Sequence, residues 1–188
     1  MKKTHTMANT FSYVLSSLVL AFILFVASSD ATNKIVDISE ICKTTVTPSF
    51  CSALLNSSPG GKDLVSLTQY IIDVDRANVT NTITLLKSLI QKSKDPKLAA
   101  HYKDCLDIYG EEGALGDVDD TQRSFNMKDY LGVNIHASAL FDRGEDCISG
   151  EFPGQPGVHD PSLLPKYAFV VKQVTSIILV LSNDLRGA

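Results

Sequence analysis

Leu164-Pro165-Lys166-Tyr167-Ala168-Phe169-Val170-Val171-Lys172-Gln173-Val174-Thr175-Ser176-Ile177-Ile178-Leu179-Val180-Leu181-Ser182-Asn183-Asp184-Leu185 is the stretch on which the fold turns. Leu164, Ala168, Val171, Val174, Ile178, Leu181 and Leu185 recur at steps of three and four, which winds them onto one face of an α-helix. Ser162 is preferred to Asp160 as the residue that opens this helix. It leaves Pro165 in the first turn, where a missing N–H costs no hydrogen bond. Gly187 closes the helix. A stripe this apolar has to be covered, and the rest of the chain supplies helices to cover it.

Working towards the N-terminus, Pro153, Gly154, Pro156 and Gly157 mark residues 150–161 as a linker. Before it, a helix is expected from about Asp129, with Tyr130, Asn134, Ala137, Phe141, Gly144 and Cys147 in phase. Asp95-Pro96 reads as a cap followed by a first-turn proline, and Leu98, Tyr102, Cys105 and Tyr109 then share a face. Gly110, Gly113 and Gly116 argue that this helix ends soon after Tyr109, since each glycine costs about 1 kcal/mol inside a helix. Further back, Leu64, Leu67, Ile71, Val74, Asn78, Asn81, Leu85 and Leu89 define one long helix from about Lys62 to Lys92, its stripe interrupted by the two asparagines. Ser58-Pro59-Gly60-Gly61 is a loop. Lys34 to Leu55 reads as two short helices broken near Thr44 to Thr47, with Thr47-Pro48 as the restart.

No strand pattern appears. The expected fold is all-α: an up-down-up-down four-helix bundle over residues 62–186, preceded by an α-helical hairpin over residues 32–57. The first 31 residues carry Lys2 and Lys3, an apolar run from Tyr13 to Val26 and small residues at Ala27-Ser28-Ser29-Asp30-Ala31. That is the composition of a secretory signal peptide cut near residues 29–31, leaving a domain over residues 32–188 with no membrane anchor. Cys42, Cys51, Cys105 and Cys147 all follow the cut. Four cysteines in a secreted chain allow three pairings. The reading favours Cys42–Cys51, closing a short loop around Thr47-Pro48, and Cys105–Cys147, stapling two helices.

The full chain has a formal net charge of −4, and loss of Lys2 and Lys3 makes the mature part more acidic. Nucleic acid is therefore an unsuitable partner and a basic protein surface a better one. No Gly-x-Ser-x-Gly elbow, His-Glu-x-x-His pair or phosphate-binding Gly-Lys-Ser/Thr is present. The cysteines and histidines have no metal-ligand spacing, so neither a metal nor a cofactor is expected. The carboxylates Glu111, Glu112, Asp117, Asp119 and Asp120 read first as solvated surface. Binding, not catalysis, is the expected role. Sequons stand at Asn56-Ser57-Ser58, beside a loop, and at Asn78-Val79-Thr80, in mid-helix on the expected inward face.

Cys42-Lys43-Thr44-Thr45-Val46-Thr47-Pro48-Ser49-Phe50-Cys51, Asp95-Pro96-Lys97-Leu98 leading to Tyr102-Lys103-Asp104-Cys105, the segment from Asp129 to Cys147, and Ile178-Leu179-Val180-Leu181-Ser182-Asn183-Asp184-Leu185 resemble the plant invertase and pectin methylesterase inhibitors across the mature chain. The resemblance implies the bundle, the same disulfide pairing, an extracellular location in the plant cell wall and inhibition of an enzyme in a one-to-one complex. In the invertase branch a Pro-Lys-Phe segment lies between the second and third bundle helices. Here that place reads Met127-Lys128-Asp129-Tyr130-Leu131, and Asp129 to Phe141 is more similar to the pectin methylesterase branch. Pectin methylesterase is accordingly the expected partner, with acid invertase as the alternative and a non-inhibitory wall-binding protein as the second. The resemblance places the partner-binding residues after Cys105 and around Cys147: Asp107, Tyr109, Glu111, Asp142, Asp146 and Ser149. Ser149 stands where an acidic residue is expected, and the glycine-rich stretch after Tyr109 also departs from the pattern.

Overall fold

A computed structural model describes residues 35–149 and 158–187. The expected signal peptide and most of the 150–161 linker lie outside the described residues. In chain order the helices are α1 Ile38–Cys42, α2 Pro48–Asn56, α3 Leu64–Lys92, α4 Pro96–Tyr109, α5 Ala114–Asn126, α6 Tyr130–Ser149 and α7 Leu164–Gly187. Among the described residues there is no strand, only one isolated bridge between Ile35 and Asp63. The architecture is the expected all-α bundle behind an N-terminal helical hairpin, with its second leg divided between α4 and α5.

Helix ends follow from their local chemistry. Asp63 opens α3 by accepting from Ser66 N–H at 2.9 Å, and Asp95 opens α4 by accepting from Lys97 N–H at 2.8 Å. Thr47 has the extended N-cap backbone, yet its hydroxyl does not cap α2. It accepts instead from Gln173 Nε2 at 2.8 Å, tying the hairpin to α7. Lys62 Nζ donates to the carbonyls of Leu55 (2.7 Å), Asn56 (3.1 Å) and Ser58 (3.2 Å), supplying the donors that the end of α2 lacks. At α7, Ser162 Oγ accepts from Leu164 N–H at 3.0 Å, as expected of the opening residue. Asp160 has a different task. It accepts from Tyr102 Oη on α4 at 2.8 Å and from Ser162 N–H at 2.8 Å, so it holds the approach to α7 against the bundle.

Two expectations about helix phase need correction. In α3 the stripe holds through Leu64, Leu67 and Ile71. Beyond that the enclosed residues are Ile72, Asp75, Val79, Thr82 and Leu86, while Val74, Asn78, Leu85 and Leu89 are half-buried and Asn81 is exposed. The inward set moves one place along at Ile71–Ile72, both buried, and then keeps the same three- and four-residue steps. From there the helix meets α7 through Asp75, whose carboxyl contacts Thr175. Asn78 is consequently not in the core; its Nδ2 donates to the Val74 carbonyl at 2.8 Å. In α6, Leu140 and not Phe141 points inward, together with Gly132, Val133, Ala137, Gly144 and Cys147.

All seven members of the α7 stripe are buried, as are Gln173, Thr175, Ser176, Ile177 and Ser182. α7 is therefore the central helix, long and apolar because neighbours surround it. The core forms two clusters along the bundle. One joins the hairpin, the first half of α3 and the C-terminal half of α7; the other joins the second half of α3, α4 and the start of α7. At about 1.5–3 kcal/mol per buried Leu, Ile or Val side chain, these clusters are the main source of stability. Both favoured disulfides are present, Cys42–Cys51 and Cys105–Cys147, each with Cα atoms 5.6 Å apart.

Candidate functional site

The Cys105–Cys147 bridge sets α4 beside the C-terminal end of α6. Lower on the bundle, Arg143 Nε of α6 donates to Asp117 Oδ2 of α5 at 3.2 Å. These two cross-links bracket the corner at residues 110–113, which places it opposite the last turns of α6. The corner is tight because glycine makes it so. A Cβ on Gly113 would stand 1.9 Å from the Ile108 carbonyl oxygen, so the chain turns here only without a side chain.

Asp107, Glu111, Asp142, Asp146 and Ser149 are all exposed. Asp142, Asp146 and Ser149 follow one another at helical spacing on the outer face of α6. Ser149 Oγ donates to the Asp146 carbonyl at 3.2 Å. Glu112 is exposed beside Glu111. No ion pair among the described residues neutralises Asp107, Glu111, Glu112, Asp142 or Asp146.

Tyr109 is the exception and has to be withdrawn as a contact residue. It is 0% exposed, packed in the core with Tyr102 and Cys105, and burial pushes its phenol pKa up. A side chain on the same helix face as a bridging cysteine points where that cysteine points, which here is inward.

The acidic run divides by position. Asp117, Asp119 and Asp120 belong to α5 and make specific contacts. Asp119 pairs with Arg76 of α3, and Asp120 pairs with Arg123 and lies 4.0 Å from His136 Nδ1 of α6. Only Glu111 and Glu112, in the corner, fit the solvated-surface reading. The sequence reading also passed over the outer face at the start of α6. Leu131 and Ile135 are 51% and 57% exposed, next to Met127 at the α5–α6 turn. Their signal was available: they are out of phase with the buried set Val133, Ala137 and Leu140.

Nothing here has the geometry of an active site. His101, the one enclosed histidine among the described residues, lies 4.0 Å from Asp160 Oδ2, and burial holds its pKa below the ordinary value. It adjoins the Cys105–Cys147 bridge and presents no nucleophile. No cluster of three metal-ligating side chains occurs among the described residues. A groove of about 450 Å³ between α1 and α7 is lined by Ile35, Val36, Ile41 and Val180 with Asp37, Glu40 and Asp184. Asp37 there is the cap of α1 and Glu40 is paired with Lys43. The sequon asparagines differ: Asn56 is exposed at the last position of α2, and Asn78 is half-buried on α3.

Comparison with known proteins identifies the family. Residues 36–181 match the family described as plant invertase/pectin methylesterase inhibitor. A pectinesterase inhibitor of Actinidia deliciosa is 35% identical over 95% of this chain and 98% of its own. Pectinesterase inhibitor 1 of Arabidopsis thaliana is 32% identical over 88% of this chain and 91% of its own. The crystal structure of a mutant form of a pectin methylesterase inhibitor from Arabidopsis superposes with a TM-score of 0.68 at 29% identity, covering 78% of this chain and 95% of that one. The chain belongs to the plant invertase/pectin methylesterase inhibitor family, whose members are inhibitor proteins and not enzymes.

Proposed function

We propose that this protein inhibits pectin methylesterase by laying the acidic α4–α6 face over the cleft that receives pectin, in a one-to-one complex. The observation that carries the reading is the set of unpaired carboxylates Asp107, Glu111, Asp142 and Asp146 on a rigid, disulfide-braced end of the bundle. A cleft that accepts an acidic polysaccharide offers complementary charge to such a face, which steers association and orients the complex. The exposed Leu131 and Ile135 extend the same side of α6 with apolar surface of the kind that anchors an interface. The names of the relatives and the absence of Pro-Lys-Phe at Met127–Leu131 support pectin methylesterase over invertase as the target.

The working location follows from the signal-like first 31 residues: the protein is secreted into the plant cell wall. Asn56 is the better placed of the two sequons for a glycan, being exposed on the hairpin and remote in sequence from the acidic face.

The test is a paired titration of the oxidised mature protein into a plant pectin methylesterase and an acid invertase. Saturating loss of esterase activity alone is expected. Loss of invertase activity alone would reverse the assignment of the target. No effect on either enzyme would leave the wall-binding role as the better account.

A further inference from the structure

The two apolar clusters of the bundle meet at a polar seam. Asp75 of α3, Thr121 of α5 and Thr175 of α7 lie there, each 0% exposed. Thr121 is accounted for, because its hydroxyl donates to the Asp117 carbonyl at 2.7 Å. Asp75 and Thr175 pose a counting problem. Thr175 Oγ1 is 2.8 Å from the Val171 carbonyl oxygen and 2.6 Å from Asp75 Oδ2. A carbonyl only accepts, and so does an ionised carboxylate, while a hydroxyl has one proton to give. The one hydroxyl proton can serve only one of the two. Given to Asp75 it favours the carboxylate. Given to Val171, the i−4 carbonyl that helical threonines commonly bond, it leaves the 2.6 Å contact to be made with a proton of Asp75.

We infer that Asp75 is a neutral carboxylic acid in the folded protein, donating its proton to Thr175 Oγ1, and that this proton locks α3 to α7 until rising pH removes it.

The surroundings fit that state. Asp75 Oδ1 has no hydrogen-bond partner. As the carbonyl oxygen of a neutral acid it loses far less by burial than as half of a carboxylate. No ion pair among the described residues reaches Asp75, and Arg76, Arg143, Arg123 and Lys172 are engaged with Asp119, Asp117, Asp120 and Glu145. From α4 the titratable group acting with it is Tyr109, whose buried hydroxyl also has no partner and whose pKa is raised further by a charge on Asp75. From α7 the facing group is Thr175, which carries no charge. Burial accordingly pushes the Asp75 carboxyl up to about 8 from an ordinary 3.8.

The sign of the linkage follows. Above pH 3.8 the unfolded chain releases this proton and the folded chain keeps it, so folding is favoured at low pH. The advantage is lost progressively as pH rises towards about 8, and no more is lost beyond. The bundle is therefore an acid-locked scaffold, whichever enzyme it meets.

Two measurements test this. Asp75→Asn keeps the size of the side chain and can donate an amide N–H to Thr175, so it preserves the link without a titrating proton. In urea unfolding, the ratio of the wild-type to the D75N folding constant is expected to fall about tenfold per pH unit between pH 5 and 7, the slope of one linked proton. Parallel pH profiles would overturn the proposal. The second measurement needs no variant: an NMR titration of the Asp75 carboxyl carbon in the intact wild-type protein. A midpoint above about pH 6 supports the neutral acid, and a midpoint at or below it contradicts it.

Discussion

Lys128 is the only non-glycine among the described residues with positive φ, at 58°. It sits where α5 must stop and α6 begin. Its N–H donates to the Phe125 carbonyl at 3.0 Å, and the next N–H, of Asp129, donates to Ser124 at 2.9 Å. This is a helix terminus that favours glycine at the left-handed position. Asp129 then starts the next helix by accepting from Gly132 N–H at 2.9 Å. For a side chain this backbone costs about 1 kcal/mol. Lys128→Gly should therefore leave stability unchanged or raise it by about 0.5 kcal/mol, whereas Lys128→Val should lower it by about 1–2 kcal/mol. Chemical denaturation of the two variants checks the order. At this scale the sequence was only partly legible. The cysteines, Pro48, Pro96 and Asp95 state their roles through position and were read from it. The caps at Asp37 and Asp63 were not, and the Thr47 hydroxyl accepts from Gln173 instead of capping α2. The roles of Asp75 and Tyr109 depend on which side of a helix they face, and one residue of phase error reassigned both the buried acid and Asn78.

Among the elements, α5 is the one that pattern reading missed. Its buried residues Ala114, Val118, Thr121, Ser124 and Phe125 keep helical spacing, but two are polar, and the segment opens behind Gly110 and Gly113. Propensity counted against a helix while tertiary contact favoured one: Gln122 exchanges hydrogen bonds with Gln69 of α3, and Asp117 is held by Arg143 of α6. The glycines are not weak points of a continuous helix; they are what lets the leg break. Gly113→Ala should cost about 2 kcal/mol, because its Cβ meets the Ile108 carbonyl and neither backbone can withdraw without opening the corner. The same change should weaken inhibition more than its effect on stability explains, since Glu111 rides on that corner. Thermal unfolding and an inhibition curve on one preparation separate the two effects. A fall in stability with unchanged inhibition would detach the corner from the proposed face.

The whole molecule is a central apolar helix with everything else arranged around it, and that much was legible in the stretch from Leu164 to Leu185 alone. Once α7 has to be covered, three further legs and short connections leave little choice but a bundle. The hairpin had its own signal in two cysteines and Thr47-Pro48, and it docks on α7 through Gln173 and Ser176. The proposed face is harder to read in sequence because nothing on it is buried, and exposed carboxylates in a helix look the same whether they meet water or an enzyme. Structure narrows them by pairing. Asp117, Asp119 and Asp120 are engaged with cations of this chain, whereas Asp107, Glu111, Glu112, Asp142 and Asp146 are not, and the proposed contact set is drawn from these. The most direct test is to reverse charge there without touching the core. The double variant Asp142→Lys with Asp146→Lys, checked by circular dichroism for an unchanged fold, should be titrated against pectin methylesterase beside the wild type. The account predicts at least about a tenfold loss of inhibitory affinity, deepest at low ionic strength. A folded variant that inhibits as well as the wild type at every salt concentration would contradict it.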